Sequence, residues 1–166
     1  MAPFTVLHVC MGNICRSPMA ERLLARALRD RAGDAADELV RSVSAGTGGW
    51  HEGEQMNPPA ARLVRARGGS VTGFEARKLR GDFIDEADLI FTATADQYDY
   101  VVALRPEAAT RTFVLGEFGR LLGAVDASAQ PGDDLDDPSG RGDQTFQRIG
   151  DEIEDTTVPF AALLLP

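Results

Sequence analysis

The sequence predicts a single-domain α/β protein spanning residues 1–166, with three layers: a central parallel four-stranded sheet and helices on both faces. Three observations carry this reading. Runs rich in β-formers alternate with segments of helical apolar spacing along the chain, the pattern of βαβ crossovers. The first strand runs into a glycine-containing turn that opens a helix, the place where such folds bind ligands. The 166 residues, 43% of them hydrophobic, suit one core and contain no internal repeat.

The elements follow in order. Phe4 to Val9 is dense in β-branched and apolar residues and reads as the first strand. Ser17-Pro18 reads as an N-cap followed by proline at the first helical position. Ala20, Leu23, Leu24, Ala27 and Leu28 then recur at helical spacing, with Arg22, Arg26 and Arg29 on the other face. Val40 to Ala45 is the second strand, closed by glycines. Pro58 to Arg67 is a helix stopped by Gly68-Gly69. Asp82 to Ala87 reads as one helical turn, Asp88 to Ala93 as the third strand, and Asp96 to Leu104 as a helix ended by Pro106. Arg111 to Leu115 is the fourth strand and Gly116 to Leu122 a short helix. Residues 123–143, rich in Gly, Asp, Ser and Pro, read as one long loop of the kind that is functional or mobile. Phe146, Ile149, Ile153 and Val158 mark a last helix, with a kink expected at Pro159.

Charge narrows the function. The net charge is −9, unevenly spread: residues 1–80 carry 12 Lys/Arg against 8 Asp/Glu, and residues 81–166 carry 5 against 18. An acidic chain is a poor partner for nucleic acid or an anionic membrane, so neither is expected. An anionic substrate requires a local site that overrides this field. No apolar run approaches the ~20 residues of a membrane span, and no signal peptide is read, so the expected location is cytoplasmic. Two cysteines, Cys10 and Cys15, and two histidines, His8 and His51, make neither a disulfide framework nor a structural zinc set. No metal and no cofactor is expected, and His8 reads as a packed strand residue.

The turn after the first strand carries the chemistry: Cys10-Met11-Gly12-Asn13-Ile14-Cys15-Arg16-Ser17. Gly12 and Asn13 tolerate positive φ, so the loop can curl with its N–H groups inward, and such a nest binds anions. The helix that follows adds its positive end. Arg16 can grip two phosphate oxygens as a fork. The same field favours the thiolate of Cys10, aimed at a bound phosphorus. Ser17 can donate a hydrogen bond to that sulfur and support it as a leaving group in a second, hydrolytic step. Asn13 reads either as a plain turn residue or as a side chain that fixes the loop. Cys15 reads either as an inert thiol or as a redox partner of Cys10.

Cleavage of a phosphate monoester is helped by a general acid at the leaving oxygen, and the loop before the last helix contains Asp133, Asp134, Asp136 and Asp137 but no glutamate or histidine. Asp137 stands out because Pro138 restricts it to extended conformations; Asp136 is the second candidate.

Val9 to Glu21 resembles the signature of the low-molecular-weight protein tyrosine phosphatases. Ser44-Ala45-Gly46-Thr47 with Trp50-His51, Gly73 to Lys78, and Asp137-Pro138 resemble further segments of that family, over nearly the whole chain. The resemblance implies phosphotyrosine hydrolysis. Cys10 would be the nucleophile, Arg16 and the loop Met11, Gly12, Asn13, Ile14, Cys15 and Ser17 the phosphate binders, and Asp137 the acid and base. Its implied partner is a phosphotyrosine protein, such as a tyrosine kinase or a polysaccharide-assembly enzyme. Phe74 stands where many members carry a histidine bonded to the counterparts of Asn13, Ser17 and Ser44. Ser139-Gly140 replace aromatics that usually flank the substrate ring. Trp50 is the candidate for that ring contact, against a reading as a core tryptophan.

Three other readings compete. A protein-arginine phosphatase shares the loop, but its branch carries threonine where Ile14 stands. Arsenate reductases of this scaffold need further cysteines, and none follows Cys15. A phospho-anion sensor would keep the cradle and dispense with the acid.

Overall fold

The computed structural model describes residues 2–123 and 133–166. Four parallel strands lie in the order β2-β1-β3-β4: β1 Phe4–Cys10, β2 Val40–Gly46, β3 Leu89–Thr92 and β4 Thr112–Val114. Because β1 is central, its side chains are buried on both faces, and they divide by the twofold alternation of a strand. Val6 and Cys10 belong to the core that also holds Phe91, while Leu7 and Val9 belong to the opposite one.

On the first face α1 (Arg16–Ala32) packs through Met19, Leu23, Leu24 and Leu28. It shares that core with α3 (Pro58–Ala66), α6 (Leu115–Leu121) and α7 (Asp143–Leu164), whose buried stripe is Phe146, Ile149, Ile153 and Phe160. On the second face lie α4 (Gly81–Glu86) and α5 (Ala95–Leu104), contributing Ile84 and Val101. The three-layer α/β architecture expected from the sequence is therefore present.

Boundaries moved by one or two residues, with larger differences at three places. Ala36–Leu39 forms a one-turn helix, α2, preceded by a 3₁₀ turn at Gly33–Ala35, and Pro106–Arg111 forms another 3₁₀ segment. None of these has enough residues to display a period. The last helix begins at Asp143 and is one element through Pro159. The long loop read over 123–143 falls partly outside the described residues; within them, 133–142 hold no helix or strand.

β1 pairs with β2 on one side and β3 on the other, so the strand order reverses there. Ligands in open parallel sheets bind beyond the carboxyl ends of the strands at such a switch. Cys10 is the last residue of β1.

Candidate active site

β1 delivers Cys10 to the carboxyl edge of the sheet and buries it. The chain then curls tightly. Asn13 takes the left-handed conformation, φ 56°, which asparagine tolerates better than most residues. All three polar positions of its side chain are used. Oδ1 accepts the Arg77 N–H at 2.9 Å, and Nδ2 donates to Ser17 Oγ and Ser44 Oγ, each at 2.9 Å. Of the two readings of Asn13, the loop-fixing one therefore holds.

The loop leans on the end of β2. Thr47 and Gly48 donate their N–H groups to the carbonyls of Cys10 and Met11, both at 2.9 Å. Gly46 permits this approach: a β-carbon there would sit 2.7 Å from the Met11 carbonyl oxygen and 2.9 Å from Asn13 N. Backbone that close leaves room for glycine alone.

Ser17 does not act as the N-cap of α1. The cap is Cys15, with no side-chain hydrogen bond. The Ser17 hydroxyl sits 2.9 Å from Cys10 Sγ while accepting from Asn13. These tertiary partners hold Ser17 inside the first turn, and the helix end is left without a side-chain cap, which suits it to an incoming anion.

Arg16 is nearly buried and reaches across to the loop that carries the candidate acids. Its Nη1 donates to the Leu135 carbonyl at 3.0 Å, and its Nη2 lies 3.9 Å from Asp137 Oδ2. Leu135 is itself buried and donates its N–H to the Ala93 carbonyl at 2.8 Å, tying this loop to the end of β3.

The four candidate aspartates separate by their partners. Asp133 pairs with Arg120, and Asp134 accepts the Ala95 N–H at 2.8 Å at the start of α5. Asp136 pairs with Arg148 at 2.8 Å, and Arg141 lies 4.0 Å away. Asp137 alone lines the cleft over Cys10, together with Met11, Gly12, Ile14, Cys15 and Arg16. Its Oδ1 accepts the Ser139 N–H at 3.0 Å, which turns Oδ2 toward Arg16.

Two further residues line the cleft: Ser139, read from the sequence as standing where an aromatic usually flanks the substrate ring, and His51, to which the sequence assigned no site role. His51 Nδ1 lies 2.5 Å from Glu54 Oε2. Trp50 does not line the cleft. Its ring lies against Gly48 and is 72% exposed, so it is not a core tryptophan. A larger cavity, about 430 Å³, lies between Met56, Arg65 and Phe74, but none of Cys10, Arg16 and Asp137 reaches it.

Burial, followed by the negative charges of Cys10 and Asp137 and opposed by Arg16, pushes the Cys15 thiol up to about 12. His8, fully buried beside Phe91, is lowered to about 3 by desolvation. Among the described residues no group of three His, Cys, Asp or Glu side chains is placed to hold a metal ion.

A buried cysteine under a curled, glycine-containing anion loop, an arginine fork and a facing carboxylate is the set a phosphomonoester requires. Residues 5–164 match the family described as low molecular weight phosphotyrosine protein phosphatase. The chain belongs to that family. A low molecular weight protein-tyrosine-phosphatase of Streptomyces coelicolor is 35% identical over 153 residues, covering 91% of this chain and 87% of that protein. Low molecular weight protein-tyrosine phosphatase A of Mycobacterium tuberculosis is 54% identical over 67 residues, 40% of this chain and 39% of that protein. The crystal structure of a protein tyrosine phosphatase from Entamoeba histolytica superposes with a TM-score of 0.80 at 26% identity, covering 97% of this chain and 96% of that one. This low molecular weight phosphatase is a cysteine-dependent, metal-independent protein-tyrosine phosphatase.

Proposed function

We propose that Cys10 is the nucleophile of this phosphatase, that Arg16 and the loop amides from Met11 to Ser17 bind the phosphoryl group, and that Asp137 is the general acid and base. In the first step the Cys10 thiolate attacks phosphorus and the P–O bond to tyrosine breaks. Asp137 gives its proton to the departing phenolate oxygen. In the second, Asp137 takes a proton from water as that water attacks the phospho-cysteine, releasing inorganic phosphate and the thiolate. Ser17, 2.9 Å from Sγ, donates to the sulfur in both its thiolate states.

The observation that carries this reading is the approach of Asp137 Oδ2 to Arg16 Nη2 over Cys10. A phosphate held by the guanidinium fork then lies between nucleophile and acid. Phosphotyrosine is favoured over phosphoarginine by the apolar flank that Ile14 and Met11 give the cleft. Trp50, exposed beside Gly48, is proposed to meet the substrate ring at the rim. The partner proposed from family resemblance is a phosphotyrosine protein such as a tyrosine kinase.

The test is Cys10→Ser assayed with an aryl phosphate in the presence of a chelator. The variant is expected to bind phosphate or vanadate and to lose turnover. Retention of more than about a tenth of the wild-type kcat, a loss under ~1.4 kcal/mol, rules out Cys10 as nucleophile. Purified protein assayed on phosphotyrosine, phosphoserine and phosphoarginine peptides tests the substrate class.

A further inference from the structure

Behind the phosphate loop a line of side chains continues away from Cys10 into the protein. Cys10 Sγ meets Ser17 Oγ at 2.9 Å, Asn13 Nδ2 bridges Ser17 and Ser44 at 2.9 Å each, and Ser44 Oγ donates to Glu21 Oε1 at 2.7 Å. The other carboxylate oxygen, Oε2, receives Arg22 Nε at 2.6 Å. Glu21 and Arg22 are consecutive residues of a surface-type helical pattern, yet their side chains are only 12% and 18% exposed. Arg22 is fastened in turn: Nη1 donates to the Ser70 and Thr72 carbonyls at 3.1 and 3.0 Å, and its Cζ lies 5.7 Å from the centre of the Phe74 ring.

We propose that Glu21 and Arg22 are positioning residues for the phosphatase reaction, the paired carboxylate setting the direction of the hydrogen-bond chain that ends on Cys10. The argument is one of polarity. An ionised carboxylate offers only acceptors, so the Ser44 proton points to Glu21. Ser44 then accepts from Asn13, whose second amide hydrogen goes to Ser17. Ser17, already holding a donated hydrogen, turns its own proton to the sulfur. The Arg77 N–H on Asn13 Oδ1 orients the amide, and Glu21 supplies the acceptor that Ser44 otherwise lacks on that side.

Without Arg22 the nearly buried carboxylate has lost its partner, and an unpaired buried charge is costly. It must then withdraw from Ser44 toward solvent, which frees the Ser44 hydroxyl and loosens the chain. The other charged group packed here, Arg77, donates Nε to the Ser44 carbonyl and does not replace Arg22 at Oε2. His8 meets the same region through Ser42, which donates to the Glu21 carbonyl rather than to its carboxylate.

This inference rests on Cys10 being the nucleophile, so its test includes a readout independent of turnover. The variants are Glu21→Ala, Glu21→Gln, Arg22→Met and Arg22→Lys. The measurements are the rate of Cys10 carboxamidomethylation by iodoacetamide at pH 7, located by peptide mass, and kcat and KM for an aryl phosphate. Glu21→Ala and Arg22→Met are expected to slow alkylation and lower kcat by about tenfold each, with KM within about threefold. Arg22→Lys restores most of both rates. Rates within about twofold of wild type in either disruptive variant overturn the proposal, as does a lowered thermal midpoint with alkylation and kcat unchanged. If Glu21→Ala or Arg22→Met does not fold, Glu21→Gln decides: its amide can present a donor to Ser44, so unchanged rates there overturn the proposal. Failure of the nucleophile reading is separate, appearing as turnover by Cys10→Ser, whereas the alkylation rate reports on the sulfur directly.

Discussion

Asp137→Asn isolates the proton-transfer step. The structure supplies the terms of the estimate. Oδ1 is committed to the Ser139 N–H at 3.0 Å, so Oδ2, 3.9 Å from Arg16 Nη2, is the oxygen that the proposed acid role assigns to the leaving group. Asparagine keeps the acceptor for Ser139 and the shape of the loop but cannot give up a proton. A phenolate leaving group has a conjugate acid near ~10, so its expulsion without assistance is slow at neutral pH. A positioned acid supplies about 10²–10⁴ of rate, equivalent to about 2.7–5.4 kcal/mol of barrier. The exposed setting of Asp137, with a side chain 44% accessible, favours the lower half of that range. The assay compares kcat/KM for phenyl phosphate with that for an aryl phosphate whose phenol is already acidic. Asp137→Asn is expected to slow the first by about 100-fold or more and the second only slightly. Asp136→Asn removes a partner of Arg148 on α7, 2.8 Å away, and is expected to slow neither substrate. Equal losses on both substrates, or a larger effect at Asp136, would refute the assignment.

Arg16→Lys replaces a planar fork that donates to the Leu135 carbonyl at 3.0 Å with a single ammonium, and kcat/KM on any aryl phosphate should fall by about 100-fold or more. His8 ties stability to pH: its folded value of about 3 lies below its unfolded value of ~6.5, so between these limits only the unfolded chain binds the proton. Its contribution to stability is therefore complete above the unfolded value and is lost as pH falls, by up to ~1.4 kcal/mol per pH unit. Urea midpoints of wild type and His8→Gln at several pH values from 4.5 to 7.5, each set referred to its own value at pH 7.5, should diverge as pH falls; parallel curves would count against it. Peroxide should inactivate the enzyme reversibly, with the neighbouring Cys15 trapping the oxidised Cys10 as a disulfide. Cys15→Ser should fail to recover activity on addition of thiol, and equal recovery of the two proteins would remove the protective role.

What could be read in the sequence is what is local. The four strands declare themselves by β-branched and apolar runs, and the phosphate loop lies within one stretch from Cys10 to Ser17, so residue types and spacing suffice. Ser17 shows both outcomes. Its contact with the Cys10 sulfur, expected from the loop chemistry, is present, whereas the Ser-Pro signal of a helix start misplaces the cap, because the hydroxyl is held by Cys10 and Asn13. Arg22 reads as part of the outer face of α1, and Glu21 only as the end of the Val9–Glu21 segment, because their partners, Ser44 and the 70–72 backbone, belong to other segments. His51 stood next to the more conspicuous Trp50, and a lone histidine carries little signal without the fold that sets it at the cleft. The four aspartates could be ranked only by the proline after Asp137; their separate partners arise from α5, α6 and α7.

The contact that joins the two halves of the site is the one a sequence is least able to express. Arg16 and Leu135 are 119 positions apart, and a leucine carbonyl has no signature. Yet that bond, with the Leu135 N–H on Ala93, fixes the loop of the proposed acid against both the phosphate loop and the end of β3. Arg16 therefore does two things with one planar group. Nη1 fastens the loop through a neutral carbonyl, and Nη2 faces the cleft close to Asp137. A guanidinium can do both because its donors diverge in a fixed plane. The 3.9 Å between Nη2 and Oδ2 is longer than a direct hydrogen bond, so Asp137 stays over Cys10 without being locked to Arg16, and one guanidinium sets the place of both the loop and the carboxylate that faces the cleft.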